Sequence, residues 1–117
     1  MSDRPVALLI EDIWEATRKV SRFTKGMTVD RFARDQKTTD AVVRNLEIIG
    51  EAASRLPASF KGAHAEIEWA KIVGLRHRIV HEYFSVDLQI VWHIIQDDLP
   101  ILTEALKELR QVLKAKS

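Results

Sequence analysis

Between Leu88 and Leu113 the chain places Leu88, Val91, Ile95, Leu99, Leu102, Leu106, Leu109 and Leu113 three or four residues apart. That rhythm keeps the apolar side chains on one side of a 3.6-residue turn, so the stretch is committed to a long amphipathic helix lying on a core. Pro100 interrupts it. With no N–H to offer the carbonyl of Gln96, the helix should kink there, or restart with Asp97 or Asp98 as its cap. A helix of this length needs other apolar faces to cover it, and the remaining sequence must supply them.

Three further segments do so. Val6, Leu9, Ile10, Ile13, Val20 and Phe23 mark one face of a first helix that Gly26 ends as a C-terminal cap. Thr28 is placed as the N-cap of a short turn running through Phe32. A second long helix is expected from Asp35 to Leu56, stopped by Pro57, with Val42, Val43, Leu46, Ile49, Ala53 and Leu56 on its core face. The stretch "PASFKGAHAEIE" reads as a loop with a helical turn around Phe60. A third helix should run from about Glu68 to Tyr83. With 4 Gly and 3 Pro, and neither strand-like alternation nor internal repeats, the expectation is one all-α domain over residues 1–117, an antiparallel bundle of four to five helices.

Charge narrows the function classes. The formal net charge is +1 and the isoelectric point about 8.1, so no global field drives the molecule onto nucleic acid or membrane. The distribution is uneven. Residues 18–37 hold Arg18, Lys19, Arg22, Lys25, Arg31, Arg34 and Lys37 against Asp30 and Asp35, whereas residues 79–106 hold five acidic side chains and no Lys or Arg. No cysteine is present, which excludes disulfides and thiolate metal sites and fits a reducing compartment; cytoplasm is the expected location. The first apolar run is broken by Glu11 and Asp12, so neither a signal peptide nor a membrane span is expected.

The stretch "GLRHRIVHEYFSVD", residues 74–87, carries the chemistry. At 100° per residue Trp69, Ile72, Val73, Val80 and Tyr83 share one stripe, and Arg76 falls in its middle. A buried guanidinium needs an acid, a subunit interface, a wet cleft or a ligand anion. Pairing with Glu47 or Glu51 on the second helix is one answer; snorkelling to the surface is another. His77 and His81 lie four apart on one face, a spacing shared by helical zinc sites, but no third ligand accompanies them and no metal is expected. They read otherwise as surface histidines near a helix end, or as partners of Arg76. In the last case, imidazole moves protons near neutral pH and guanidinium holds a phosphate bidentately, a combination suited to phosphodiester cleavage in RNA.

These residues resemble the HepT-like toxins of the HEPN superfamily. The motif of that family, Arg, four residues, His, any residue, Tyr, stands here as Arg76, "HRIV", His81, Glu82, Tyr83. The resemblance extends over "DQKTTDAVVRNLEIIGEAASRLP", "EIEWAKIVGLRHRIVHEYFSVD" and "VWHIIQDDLPIL". It implies a homodimeric all-α HEPN bundle with two motifs facing a common cleft. It further implies a metal-independent endoribonuclease toxin of a bacterial or archaeal type VII toxin–antitoxin pair, with RNA as substrate and no cofactor. Arg76 would stabilise the scissile phosphate and His81 would transfer the proton. Tyr83 would accept AMP from the partner, a minimal nucleotidyltransferase antitoxin of the MntA kind. One departure stands out: where the family commonly has Asn or Asp after the motif arginine, this chain has His77, either an auxiliary proton carrier or a spectator. The competing class is a non-catalytic binding partner of a nucleotidyltransferase, in which Arg76 holds a nucleotide phosphate.

Other residues carry plainer expectations. Trp14, Trp69 and Trp92 sit at core spacing and read as packing anchors. The basic set from Arg18 to Lys37 reads first as a solvated face and second as a guide for RNA toward the dimer cleft, and Glu47 with Glu51 as structural partners of Arg76 or dimer contacts. His64 and His93 have no constellation around them.

Overall fold

The computed structural model describes residues 4–79 and 86–116. Its regular structure is helical: α1 (Val6–Thr24), α2 (Val29–Arg34), α3 (Gln36–Arg55), α4 (Ala58–Ala63), α5 (Trp69–Val73), α6 (Leu75–Ile79), α7 (Leu88–His93), a π-turn (Ile94–Asp98) and α8 (Leu99–Ala115). The all-α expectation holds. Among the described residues no helix is long and apolar enough to cross a membrane.

Local chemistry sets the ends. Gly26 takes φ +77° just past α1, a left-handed conformation that favours glycine. The Thr28 hydroxyl accepts from the Arg31 amide at 3.2 Å, opening α2 as expected. Asp35 does the same for α3, accepting from the Thr38 amide at 3.1 Å, and that hydrogen bond holds its carboxyl below the usual aspartate range. Asp87 opens α7 by accepting from the amides of Gln89 and Ile90.

Helices α1 and α3 pack along each other, α8 lies against α1, and α5 and α6 lie against α3. The shared core includes Leu9, Ile10, Ile13, Val20, Phe32, Val42, Leu46, Ile49, Val91, Ile94 and Leu106, each at most 2% exposed. Phe32 carries the short α2 into this core, its ring 5.3 Å from that of Trp92. The tryptophans are packing anchors: Trp69 is buried and donates from Nε1 to the His64 carbonyl at 3.0 Å, and Trp14 lies under the guanidinium of Arg110 at 4.4 Å. Phe23, expected on the core face of α1, is instead exposed, and the buried positions of the last turns are Val20 and Thr24.

Arg110 also ties α8 to α1. Its Nε and terminal nitrogen reach Glu11 at 2.6 and 3.0 Å, a bidentate pair. These hydrogen bonds from Arg110 hold the Glu11 carboxyl below the ordinary glutamate value of 4.5. A depressed carboxylate contributes stability above that ordinary value and loses it as pH falls through the lower folded-state value. With Glu11 still 45% exposed, solvent screening keeps the contribution within about 0–1 kcal/mol. Urea unfolding should therefore separate wild type from Glu11→Gln near neutral pH and bring the two together at acid pH; a constant difference would contradict the pairing.

Two departures shape the site. The continuous third helix expected over residues 68–83 is broken at Gly74 into α5 and α6, and the part of that expectation beyond Ile79 lies outside the described residues. The final helix neither simply kinks nor restarts on an aspartate cap. It passes through the π-turn, where the Leu99 amide bonds to the Ile94 carbonyl five residues back, and Pro100 falls in the first turn of α8. The wider ring re-registers the ladder just before the residue that cannot donate.

Candidate functional site

After the break at Gly74, the buried positions are Leu75 and Ile79, continuing Trp69 and Ile72. The stripe drawn through Val73 and Arg76 is therefore corrected: Val73 is 37% exposed, and the Arg76 side chain is 59% exposed. Arg76 does not need rescue from a core. It stands on the wall of an open cleft of about 640 Å³ formed by the first half of α1, the middle of α3 and the α5–α6 junction.

The floor of this cleft depends on Gly50. A Cβ there would come within 3.3 Å of the Ile72 carbonyl oxygen and 3.5 Å of the Val73 carbonyl oxygen, so α3 and α5 approach backbone to backbone. One turn before Gly50 on α3, Glu47 meets the Arg76 guanidinium at 3.6 Å, the partner anticipated for it. Glu51 does not reach Arg76; it pairs within its own helix with Arg55 at 3.8 Å. His77 lines the same cleft and is exposed. Arg4 pairs with Asp12 at 2.7 Å across the far rim. Among the described residues, Arg44 is the one cleft arginine without a carboxylate in ion-pair range.

The Arg76–Glu47 contact is long and wet, so it is worth little and can open. An anion entering the cleft competes with Glu47 for the guanidinium. Replacing Glu47 with Gln should tighten binding of inorganic phosphate up to about fivefold, the equivalent of an exposed pair worth at most about 1 kcal/mol. NMR titration of the Arg76 side chain would read this, and identical phosphate affinity in the two proteins would show that Glu47 does not compete.

On the other side of α6, Arg78 points away from Arg76 and reaches Asp98 at 2.8 Å, while Lys71 stands 3.6 Å from the other oxygen of that carboxylate. The Asp98 Oδ2 is sealed from solvent and meets the guanidinium as an ion contact, without an aligned hydrogen bond. Helix α6 is thus tied to the π-turn through Arg78, while Arg76 on its other side stays loosely partnered by Glu47. Sequence reasoning treated Asp98 as a cap and passed over Arg78. The signal was present: two residues after Arg76 on a helix is the opposite face.

His81 and Tyr83 lie outside the described residues. What precedes and follows them is defined, since the Asp87 amide donates to the Ile79 carbonyl at 2.8 Å and brings the two flanks together. His64 contacts Glu66 at 3.8 Å and stacks near Phe60, and His93 pairs with Asp97 at 2.6 Å; neither lines the cleft.

Comparison with known proteins shows the family. The family model described as "Ribonuclease HepT-like" matches residues 13–109, a span that contains Arg76, His81 and Tyr83. A Thermococcus cleftensis protein named "Probable ribonuclease HepT" is 39% identical over 102 residues, covering 87% of this chain and 93% of its own length. A Methanocaldococcus jannaschii protein, provisionally named an RNase, is 34% identical over 114 residues, covering 97% of this chain and 92% of its own. A third, from Caldanaerobacter subterraneus and likewise provisionally named an RNase, is 37% identical over 102 residues, covering 87% and 91%. No solved structure matches the chain.

Proposed function

We propose that this chain, which belongs to the HepT-like ribonuclease family, is a metal-independent endoribonuclease toxin acting through Arg76 and His81. The observation that carries the reading is the position of Arg76. It is exposed on a cleft wall, loosely partnered by Glu47, and five residues upstream of His81 in a family-matched span. A structural arginine would be expected in a tighter pair.

The reaction follows from these groups. The ribose 2′-oxygen attacks the adjacent phosphorus, the bond to the 5′-oxygen breaks, and the products are a 2′,3′-cyclic phosphate and a 5′-hydroxyl. His81 takes the proton from the attacking hydroxyl or gives one to the leaving oxygen. Arg76 stabilises the charge gathering on the non-bridging oxygens. Acid and base roles ask for two groups, and a homodimer with two motifs across one cleft supplies them; His77 is a second candidate within one chain. The protein would work in the cytoplasm as the toxin of a type VII pair. Its antitoxin would be a minimal nucleotidyltransferase whose ATP is attacked by the Tyr83 hydroxyl at the α-phosphorus, releasing pyrophosphate and leaving AMP on the tyrosine. The added phosphate would repel RNA and fill the site.

Expression of wild type beside His81→Ala tests the nuclease reading: growth arrest and RNA loss are expected from wild type alone, and matching behaviour would remove it. Intact mass after incubation with the partner and ATP should show AMP addition that Tyr83→Phe abolishes. A binding-partner reading draws on Arg44, the cleft guanidinium with no described carboxylate, which suits a nucleotide phosphate. Under that reading both proteins are harmless and both bind nucleotide.

A further inference from the structure

A second groove, of about 680 Å³, lies at the other end of α1 from the Arg76 cleft, between the last turns of α1, the turn at Gly26 and the start of α8. Its walls differ from those of the cleft in electrostatics. The cleft arginines are largely neutralised by Asp12, Glu47 and Glu51. In the groove, Arg18, Arg22, Lys25 and Lys107 face a single carboxylate, Glu104, and Glu104 is engaged by Lys107 at 3.1 Å. Among the described residues neither Arg22 nor Lys25 has a carboxylate partner, and Arg18 contacts only the face of Trp14, at 5.8 Å.

The basic set of residues 18–37 is therefore not one solvated face. Lys19 pairs with Glu15 at 3.3 Å, and Arg31, Arg34 and Lys37 belong to other surfaces. Arg18, Arg22 and Lys25 instead stand at i, i+4 and i+7, one stripe along about 10 Å of helix axis. The groove between them and α8 is lined by polar and apolar groups alike, Ser21, Gln96 and Thr103 beside Met27 and Pro100. A row of uncompensated cations about one helical turn apart, beside hydroxyl and amide groups, matches a chain of phosphates joined by sugars.

We propose that this groove is a second RNA-backbone site, holding the sugar-phosphate chain away from the scissile bond. The inference takes the identity of the polyanion from the ribonuclease reading and its location from the unpaired cations. Along α1, Arg22 lies about 15 Å from Asp12 of the cleft, so only an RNA several nucleotides long can touch both. Affinity should then depend on substrate length, and the groove should act on binding rather than on turnover.

The test uses Arg22→Glu/Lys25→Glu, with Arg31→Glu/Arg34→Glu on α2 as a control of equal charge change outside the groove. Anisotropy of a labelled oligouridine of about 20 nucleotides is read in the Arg76→Ala background, so binding is measured without cleavage. The groove variant should weaken binding on the order of tenfold and lower the salt slope by about 1.4, the release of two single-strand phosphate contacts, with the control near wild type. In cleavage assays of the Arg76-containing protein, the same variant should raise KM for the long RNA, leave kcat unchanged and leave a dinucleotide unaffected. Unchanged affinity and salt slope would overturn the proposal and leave the groove to an acidic protein surface. Equal weakening by the control pair, or an equal KM change for the dinucleotide, would overturn it as well. A wild type that cleaves no RNA would defeat the nuclease reading, while the anisotropy arm would still decide the groove.

Discussion

Replacing Arg76 with alanine is expected to lower kcat on RNA about 100- to 1,000-fold, the range for removing one group that stabilises charge in a transition state. Stability should hardly move. The side chain is 59% exposed and its one described partner, Glu47, stands 3.6 Å away, so truncation leaves no buried charge behind. This separation of effects is what makes the experiment informative. Arg76→Lys retains the positive charge but loses the planar fork that grips two phosphate oxygens, so it should recover only a small part of the rate. Steady-state cleavage of a defined RNA beside a thermal melt of each variant reads both quantities. Wild-type turnover in Arg76→Ala would end the assignment, and a collapsed melt would mean that Arg76 supports the fold.

The second large effect belongs to the core. Phe32 is fully buried in a helix of only six residues, and its ring lies 5.3 Å from that of Trp92. Phe32→Ala removes the side chain that fastens α2 to α7 and leaves a cavity that rigid neighbours fill poorly, costing about 3–5 kcal/mol. Domains of ordinary stability have about 5–15 kcal/mol in hand, so a large share of the total is lost. Urea unfolding should show a much lower midpoint with a similar slope. A loss below about 1 kcal/mol would mean that α2 is an appendage to the fold.

Much of this architecture was legible in the chain. The rhythm of Leu9, Ile10, Ile13 and Val20, the caps at Thr28 and Asp35, and the stop at Pro57 all act within a few residues, and local rules capture them. The pairing of Arg76 with Glu47 was also within reach, since both helices could be placed and the charges named. What escaped depends on rotation and register. A wheel carried from Trp69 through Gly74 assumes one uninterrupted helix; once the chain breaks there, Leu75 and Ile79 take the core and Arg76 swings out to the cleft. The Pro100 disruption was foreseen, but its form, a π-turn that leaves Asp98 against Arg78, arises from packing between elements that are distant in sequence. The motif supplied the names of the candidate site residues, but not the largely neutralised cleft around Arg76 or the uncompensated groove at the other end of α1.

The backbone approach at Gly50 has a bearing on how the site can be tuned. A single hydrogen in place of a methyl lets α3 approach α5 closely; Glu47 stands on α3 one turn before Gly50, and Arg76 on α6, which follows α5 after Gly74. Position 50 therefore works as a shim. Alanine there would bring a Cβ to 3.3 Å from the Ile72 carbonyl oxygen, closer than an ordinary contact, and relief by a few tenths of an ångström between α3 and α5 is expected to shift Glu47 relative to Arg76. The distance between Glu47 and Arg76, and under the proposed function the freedom of the arginine to take a phosphate, is then expected to respond to a residue that carries no functional group at all.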